Sequence, residues 1–197
     1  DPDGLRLAEA AFAETEGNGI NLMGDGTLTL GGTGVSSTLY HLNVTSGTLN
    51  LNGGALALTS GEPNPPGAAL VIGSNTTSAS MNVQGGALLD MAETGDAWIN
   101  GNMTISGAGT SWMLPKLTTM GMDNAAQMIV EAGAAVSPKK QNSALLLGFS
   151  QPGTLIVRTG GSLTTTMAVI AVAENVPSSA SVTGAGSSWT VQTDLNL

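Results

Sequence analysis

Along most of the chain apolar side chains recur two residues apart in short runs. Met81 and Val83, Met103 and Ile105, Met128 and Val130, and Leu155 and Val157 are each separated by one residue, a spacing that puts both members on one face of a strand. A glycine follows each pair. The turn glycines fall at positions 85, 107, 133, 160 and 184, in steps of 22, 26, 27 and 24. Upstream, Leu28 and Leu30, then Leu49 and Leu51, repeat the alternation with a shift of 49 − 28 = 21. A second strand signal, at 70–72, 118–120, 145–147 and 168–170, precedes several of these units, so each repeat carries more than one strand. Two near-identical hexapeptides, Gly107-Ala108-Gly109-Thr110-Ser111-Trp112 and Gly184-Ala185-Gly186-Ser187-Ser188-Trp189, recur 184 − 107 = 77 positions apart.

Short strands at variable spacing, without the long 3.6-period stretches of a helical solenoid, predict an all-β chain of stacked coils. The expected fold is a parallel β-helix (β-solenoid) of about 21–27 residues per coil, whose equivalent residues stack about 4.8 Å apart. Met81, Val83, Met103, Ile105, Met128, Val130, Leu155 and Val157 are its predicted inward ladder, each contributing roughly 1.5–3 kcal/mol on full burial.

Two stretches break the pattern. Residues 61–67 contain Glu62, Pro63, Asn64, Pro65 and Pro66 and lengthen one coil, since the turn glycines Gly53 and Gly85 that flank them are 85 − 53 = 32 positions apart. Proline cannot donate to a ladder, so these five predict a protruding loop. Residues 3–14 are repeat-free and helix-favouring, with Leu5, Ala8 and Phe12 on roughly one helical face. Residues 1–25 are therefore read as a non-repeat N-terminal cap or a lead-in, and 26–197 as the solenoid. Leu197 falls in mid-coil, which predicts that the solenoid continues, and Asp1-Pro2-Asp3 opens without the basic and apolar segments of a signal peptide.

Composition narrows the partners. Aromatic residues are 3% of the chain against 41% hydrophobic overall, so the core is expected to be aliphatic and narrow. The 28 glycines follow no every-third-residue period, which excludes a collagen-like triple helix and implies many tight turns. A net charge of −9 with five basic residues repels phosphate backbones and anionic bilayers, so no nucleic acid is expected as a partner. No run reaches the roughly 20 apolar residues of a spanning helix, and no direct membrane insertion by this segment is expected. The absence of cysteine removes disulfides and thiolate metal sites.

Candidate chemistry is sparse. His41 is the only histidine and no nucleophile motif flanks it, so it is read as a surface strand residue. Asp90, Glu93 and Asp96 form a short acidic run that offers oxygen ligands to a hard cation, and a solvated loop explains it as well. Residues 31–36 supply the glycines of a calcium-binding β-roll turn and lack its carboxylate. Glu131 and Arg158 occupy one column on neighbouring coils, 158 − 131 = 27, and are read as an exposed surface pair. Trp112 and Trp189 share one repeat position three coils apart, about 14 Å, and are assigned to corner packing. Asn43, Asn75 and Asn102 begin N-x-Thr triplets, a short pattern with high background. No catalytic residue, metal or cofactor is assigned.

The hexapeptide and its following strand resemble the repeats of bacterial autotransporter passenger regions, the adhesin-like members in particular, most clearly over residues 70–197. The resemblance implies a right-handed parallel β-helix, secreted to the extracellular side of a Gram-negative outer membrane by a C-terminal β-barrel that this sequence does not contain. It implies a non-enzymatic adhesin or stalk segment that mediates attachment or cell–cell aggregation. Its partners would be host or bacterial surface molecules, protein or glycan, including self-association, and its hydroxyl-rich faces would be open to O-glycosylation. Two alternatives stay open: a carbohydrate-active β-helix enzyme, which would need several carboxylates and a cation in one groove, and a passive spacer for a domain outside this chain.

Overall fold

A computed structural model describes residues 6–8, 11–15, 19–59 and 68–197. Among these the chain is all β. After β1 (Arg6–Ala8), β2 (Ala11–Thr15) and β3 (Gly19–Met23), it winds through seven coils. The first four coils are β4 (Thr27–Leu30), β5 (Ser36–Leu39) and β6 (Leu42–Val44); β7 (Gly47–Asn52), β8 (Ala55–Leu58) and β9 (Leu70–Ile72); β10 (Ala79–Gln84), β11 (Leu88–Met91) and β12 (Asp96–Ile99); then β13 (Asn102–Ser106), β14 (Ser111–Leu114) and β15 (Leu117–Met120). The fifth has β16 (Ala126–Glu131), β17 (Ala135–Pro138) and β18 (Ala144–Leu147). In the last two, β19 (Gly153–Arg158) leads to β20 (Ser162–Ile170) and β21 (Ser179–Thr183) to β22 (Ser188–Asn196).

Strands at the same place in successive coils pair in parallel, giving a β-solenoid with three columns. Column one runs β4-β7-β10-β13-β16-β19-β21. Column two runs β5-β8-β11-β14-β17 and column three β3-β6-β9-β12-β15-β18, and they merge because β20 pairs with β17 near its start and with β18 near its end. Side-chain alternation then fills a narrow interior. In column one Leu28, Leu49, Met81, Met103, Met128 and Leu155 are in register and at most 1% exposed. Val83, Ile105, Val130 and Val157 form the ladder beside them and are fully buried. Column two contributes Leu56, Leu89, Trp112, Val136 and Leu163 in one ladder, and column three Val44, Ile72, Ile99, Met120 and Leu147.

The first ladder passes through positions 28, 49, 81, 103, 128, 155 and 180, so successive coils differ in length, in steps of 21, 32, 22, 25, 27 and 25. The longest coil contains Glu62, Pro63, Asn64, Pro65 and Pro66, which lie outside the described residues. Register also revises the glycine spacing. The corner position two residues after the second inward side chain is Gly53, Gly85, Gly107, Ala132, Thr159 and Gly184 in successive coils, and all six have positive φ. At Ala132 and Thr159, both at φ 53°, a side chain occupies a left-handed conformation that glycine adopts freely.

The N-terminal stretch departs from its helix-favouring composition. β1 pairs antiparallel with β4, and β2 antiparallel with β3. Both lie along strand edges whose unpaired N–H and C=O groups attract a further strand, and that pairing overrides local propensity.

Candidate functional site

The hexapeptide has a structural explanation in its hydrogen bonds. The Oγ1 of Thr110 accepts from the N–H of Gly86, and the Oγ of Ser187 accepts from the N–H of Gly160, at 3.0 Å each. The fourth residue of each copy thus satisfies a corner amide of the coil before it. The sixth residue turns into column two, where Trp112 is fully buried between Leu89 and Val136, and Trp189 stacks on Leu163. Trp189 Nε1 donates to Thr165 Oγ1 at 3.2 Å, whereas Trp112 Nε1 is buried without a partner, as are the hydroxyls of Thr118 and Thr119.

The charged residues are drawn into pairs. Glu131 and Arg158, side by side on column one, form an ion pair with Arg158 Nε 2.6 Å from Glu131 Oε2. Asp90 reaches Lys139 at 2.7 Å, and Glu93 pairs with Lys140. These contacts divide the acidic run, since Asp96 begins β12 while Glu93 sits in the turn before it. Burial pushes the Asp96 carboxyl above its ordinary pKa, and Lys116 partly offsets the rise. Among the described residues no three His, Asp or Glu side chains are grouped to hold a metal ion. No helix there is long and apolar enough to cross a membrane. His41 lies just before β6, its ring packed so closely over Gly19 that a Cβ there would clash with it, and 6.4 Å from the Tyr40 ring, centroid to centroid.

The outer faces differ in chemistry. On column one a single register row reads Thr27, Thr48, Ser80, Asn102, Gln127, Thr154 and Ser179, polar in every coil. Beside it Asn82 Nδ2 donates to Asn50 Oδ1 at 2.8 Å, an amide ladder between coils. On column three the corresponding row reads Asn43, Val71, Trp98, Thr119, Leu146 and Val169, apolar at four of its six positions, with Thr119 buried at 1% exposure.

That row carries a groove whose lining combines an aromatic ring with polar side chains. Ala97 and Ile99 both point into the core at 0% exposure, so the pleat sends Trp98 outward. Trp98, Val71, Asn43, Ser74, Asn75 and Asp123 line a groove of about 270 Å³. Asp123 is fixed there by the fully buried Asn100, whose Oδ1 accepts from the N–H groups of Met122 and Asp123 at 3.0 and 2.9 Å. Asn100 Nδ2 also faces Asp123 Oδ2 at 3.4 Å. On the opposite side the N–H of Thr77 donates to Ser74 Oγ at 3.2 Å, which shapes the turn that presents Asn75. Asn43 donates from Nδ2 to Asn21 Oδ1 at 2.7 Å. Of the three N-x-Thr asparagines, the groove thus joins Asn43 and Asn75, and Asn102 stands in the polar row of column one.

Searches of protein-family models, of curated proteins and of solved structures found no match to this chain.

Proposed function

We propose that this chain is a surface-exposed adhesin or stalk segment of a secreted, autotransporter-type protein that mediates attachment or cell–cell aggregation. The observation that carries the reading is the polar row of column one, in which all seven coils present a short hydroxyl or amide side chain. Six coil steps of about 4.8 Å make a straight, repetitive surface about 29 Å long. Each contact on such a surface is weak, but contacts made together on one rigid scaffold raise the effective concentration of the next. The ion pairs favour the same reading over catalysis, because each of Asp90, Glu93 and Glu131 is committed to a cation of its own, Lys139, Lys140 and Arg158 in turn.

Beads coated with the chain should attach to bacterial or host cell surfaces, or to one another, more than beads coated with an unrelated β-solenoid of the same length. Equal attachment by the two would remove the adhesive reading and leave a passive spacer.

A further inference from the structure

The geometry points to a saccharide-binding site at Trp98: the groove on column three takes one neutral pyranose unit of a glycan. This inference rests on the adhesive reading and names the ligand class of one site. A pyranose has an apolar C–H face and a rim of hydroxyls. The groove sets Trp98 beside Val71 with the amides of Asn43 and Asn75 and the Asp123 carboxylate around them, while the Ser74 hydroxyl, 2.7 Å from Thr77 Oγ1, holds the turn that carries Asn75. Trp supplies a large rigid apolar surface with little entropy to lose. Amide and carboxylate groups pair with sugar hydroxyls as donors and acceptors.

The volume of about 270 Å³ lies just under the roughly 300–1,000 Å³ of pockets for drug-sized ligands, which suits a single ring. No Lys or Arg lines the groove, one carboxylate does, and the chain carries −9 overall, so a uronic acid or sialic acid is disfavoured. A peptide adding as a strand is disfavoured too. Both strands that frame the site, β9 and β12, already pair on each side, β9 with β6 and β12, β12 with β9 and β15, and present no free edge.

The test is a titration of the whole chain with the methyl glycosides of glucose, galactose, mannose and N-acetylglucosamine, and with glucuronic acid, followed by the indole N–H resonances. At least one neutral sugar should shift the Trp98 resonance selectively and saturably. Trp98→Ala should weaken that binding at least about tenfold, as loss of an aromatic anchor does, while Trp98→Phe retains part of it. Circular dichroism and the resonances of Trp112 and Trp189 establish that each variant is folded. No sugar-dependent shift at Trp98, binding unchanged in Trp98→Ala, or binding of glucuronic acid alone would overturn the site.

The bead assay separates this failure from that of the adhesive reading. Beads carrying Trp98→Ala that attach as well as the unsubstituted chain would reject the site and keep the adhesin. Sugar binding that depends on Trp98, with no bead attachment, would keep the site and reject the adhesin.

Discussion

At the scale of single residues, a few polar groups depart from an otherwise repetitive design. Asp96 has its pKa raised by burial, with Lys116 pulling the other way. Its folded form therefore holds a proton more tightly than the unfolded chain does. Folding is then least burdened below the ordinary Asp value of about 3.9 and loses stability as pH rises from there through the folded pKa. Asp96→Asn should accordingly stabilise the protein at pH 7 and make no difference at pH 3, compared by urea midpoints at the two values. Thr110 illustrates the opposite sign. It is 1% exposed and its hydroxyl satisfies the amide of Gly86. Thr110→Ala should cost about 1–3 kcal/mol, the penalty of an orphaned buried donor, and Thr110→Ser much less. Ser187, less buried in the last coil, should lose less on the same truncation, because water can reach Gly160. Equal losses at both positions would show that the hydroxyl matters for another reason.

At the scale of strands and turns, what could be read from the sequence followed the regularity of each column. Column one was legible because its inward positions are uniformly large and aliphatic and its strands are mostly five or six residues long, so a period of two stands out. The ladder makes a direct prediction: Met128, fully buried between Met103 and Leu155, should cost about 2–5 kcal/mol as Met128→Ala and under about 1.5 kcal/mol as Met128→Leu, read from denaturant midpoints. Column two was largely hidden. From β5 to β17 its strands are only four residues long, and Ser36–Leu39 shows no apolar alternation at all. The corner glycines misled by one residue in two coils, because Ala132 and Thr159 take the left-handed place there and the glycine comes next. Residues 6–8 and 11–15 misled through composition, since helix-favouring Ala, Leu and Glu give way to backbone pairing along the edges of β4 and β3. The groove is half-written in the sequence. In Ala97-Trp98-Ile99 the alternation that buries the neighbours obliges the indole to face out, whereas the approach of Asn75 and Asp123 depends on turns of unequal length in different coils.

For the whole molecule, the consequence of stacking is that each coil touches mainly the coils beside it, so stability approximates a sum of coil terms and nearest-neighbour interfaces. The column-one register lets a coil be removed without breaking any ladder. Deleting positions 103 to 127 joins Asn102 to Met128. Asn102 and Gln127 are themselves register partners, so the chain re-enters one coil lower at the same point in the turn. Met81 would then stack on Met128, Val83 on Val130 and Ile99 on Leu147, each an aliphatic pair in place of another, while Leu89 would meet Val136 where both now pack on Trp112. Even the ion pair survives this edit, since Lys139 already reaches across the removed coil to Asp90. The shortened protein should fold cooperatively with the same β signal per residue and a smaller dependence of unfolding free energy on denaturant, in proportion to the area lost. Deleting only positions 115 to 127 should behave differently. It joins Leu114 in column two to Met128 in column one, removes the column-three strand of that coil and throws every later strand out of place, which should abolish cooperative unfolding. If both deletions folded equally well, the three-column register would not be what holds the coils together.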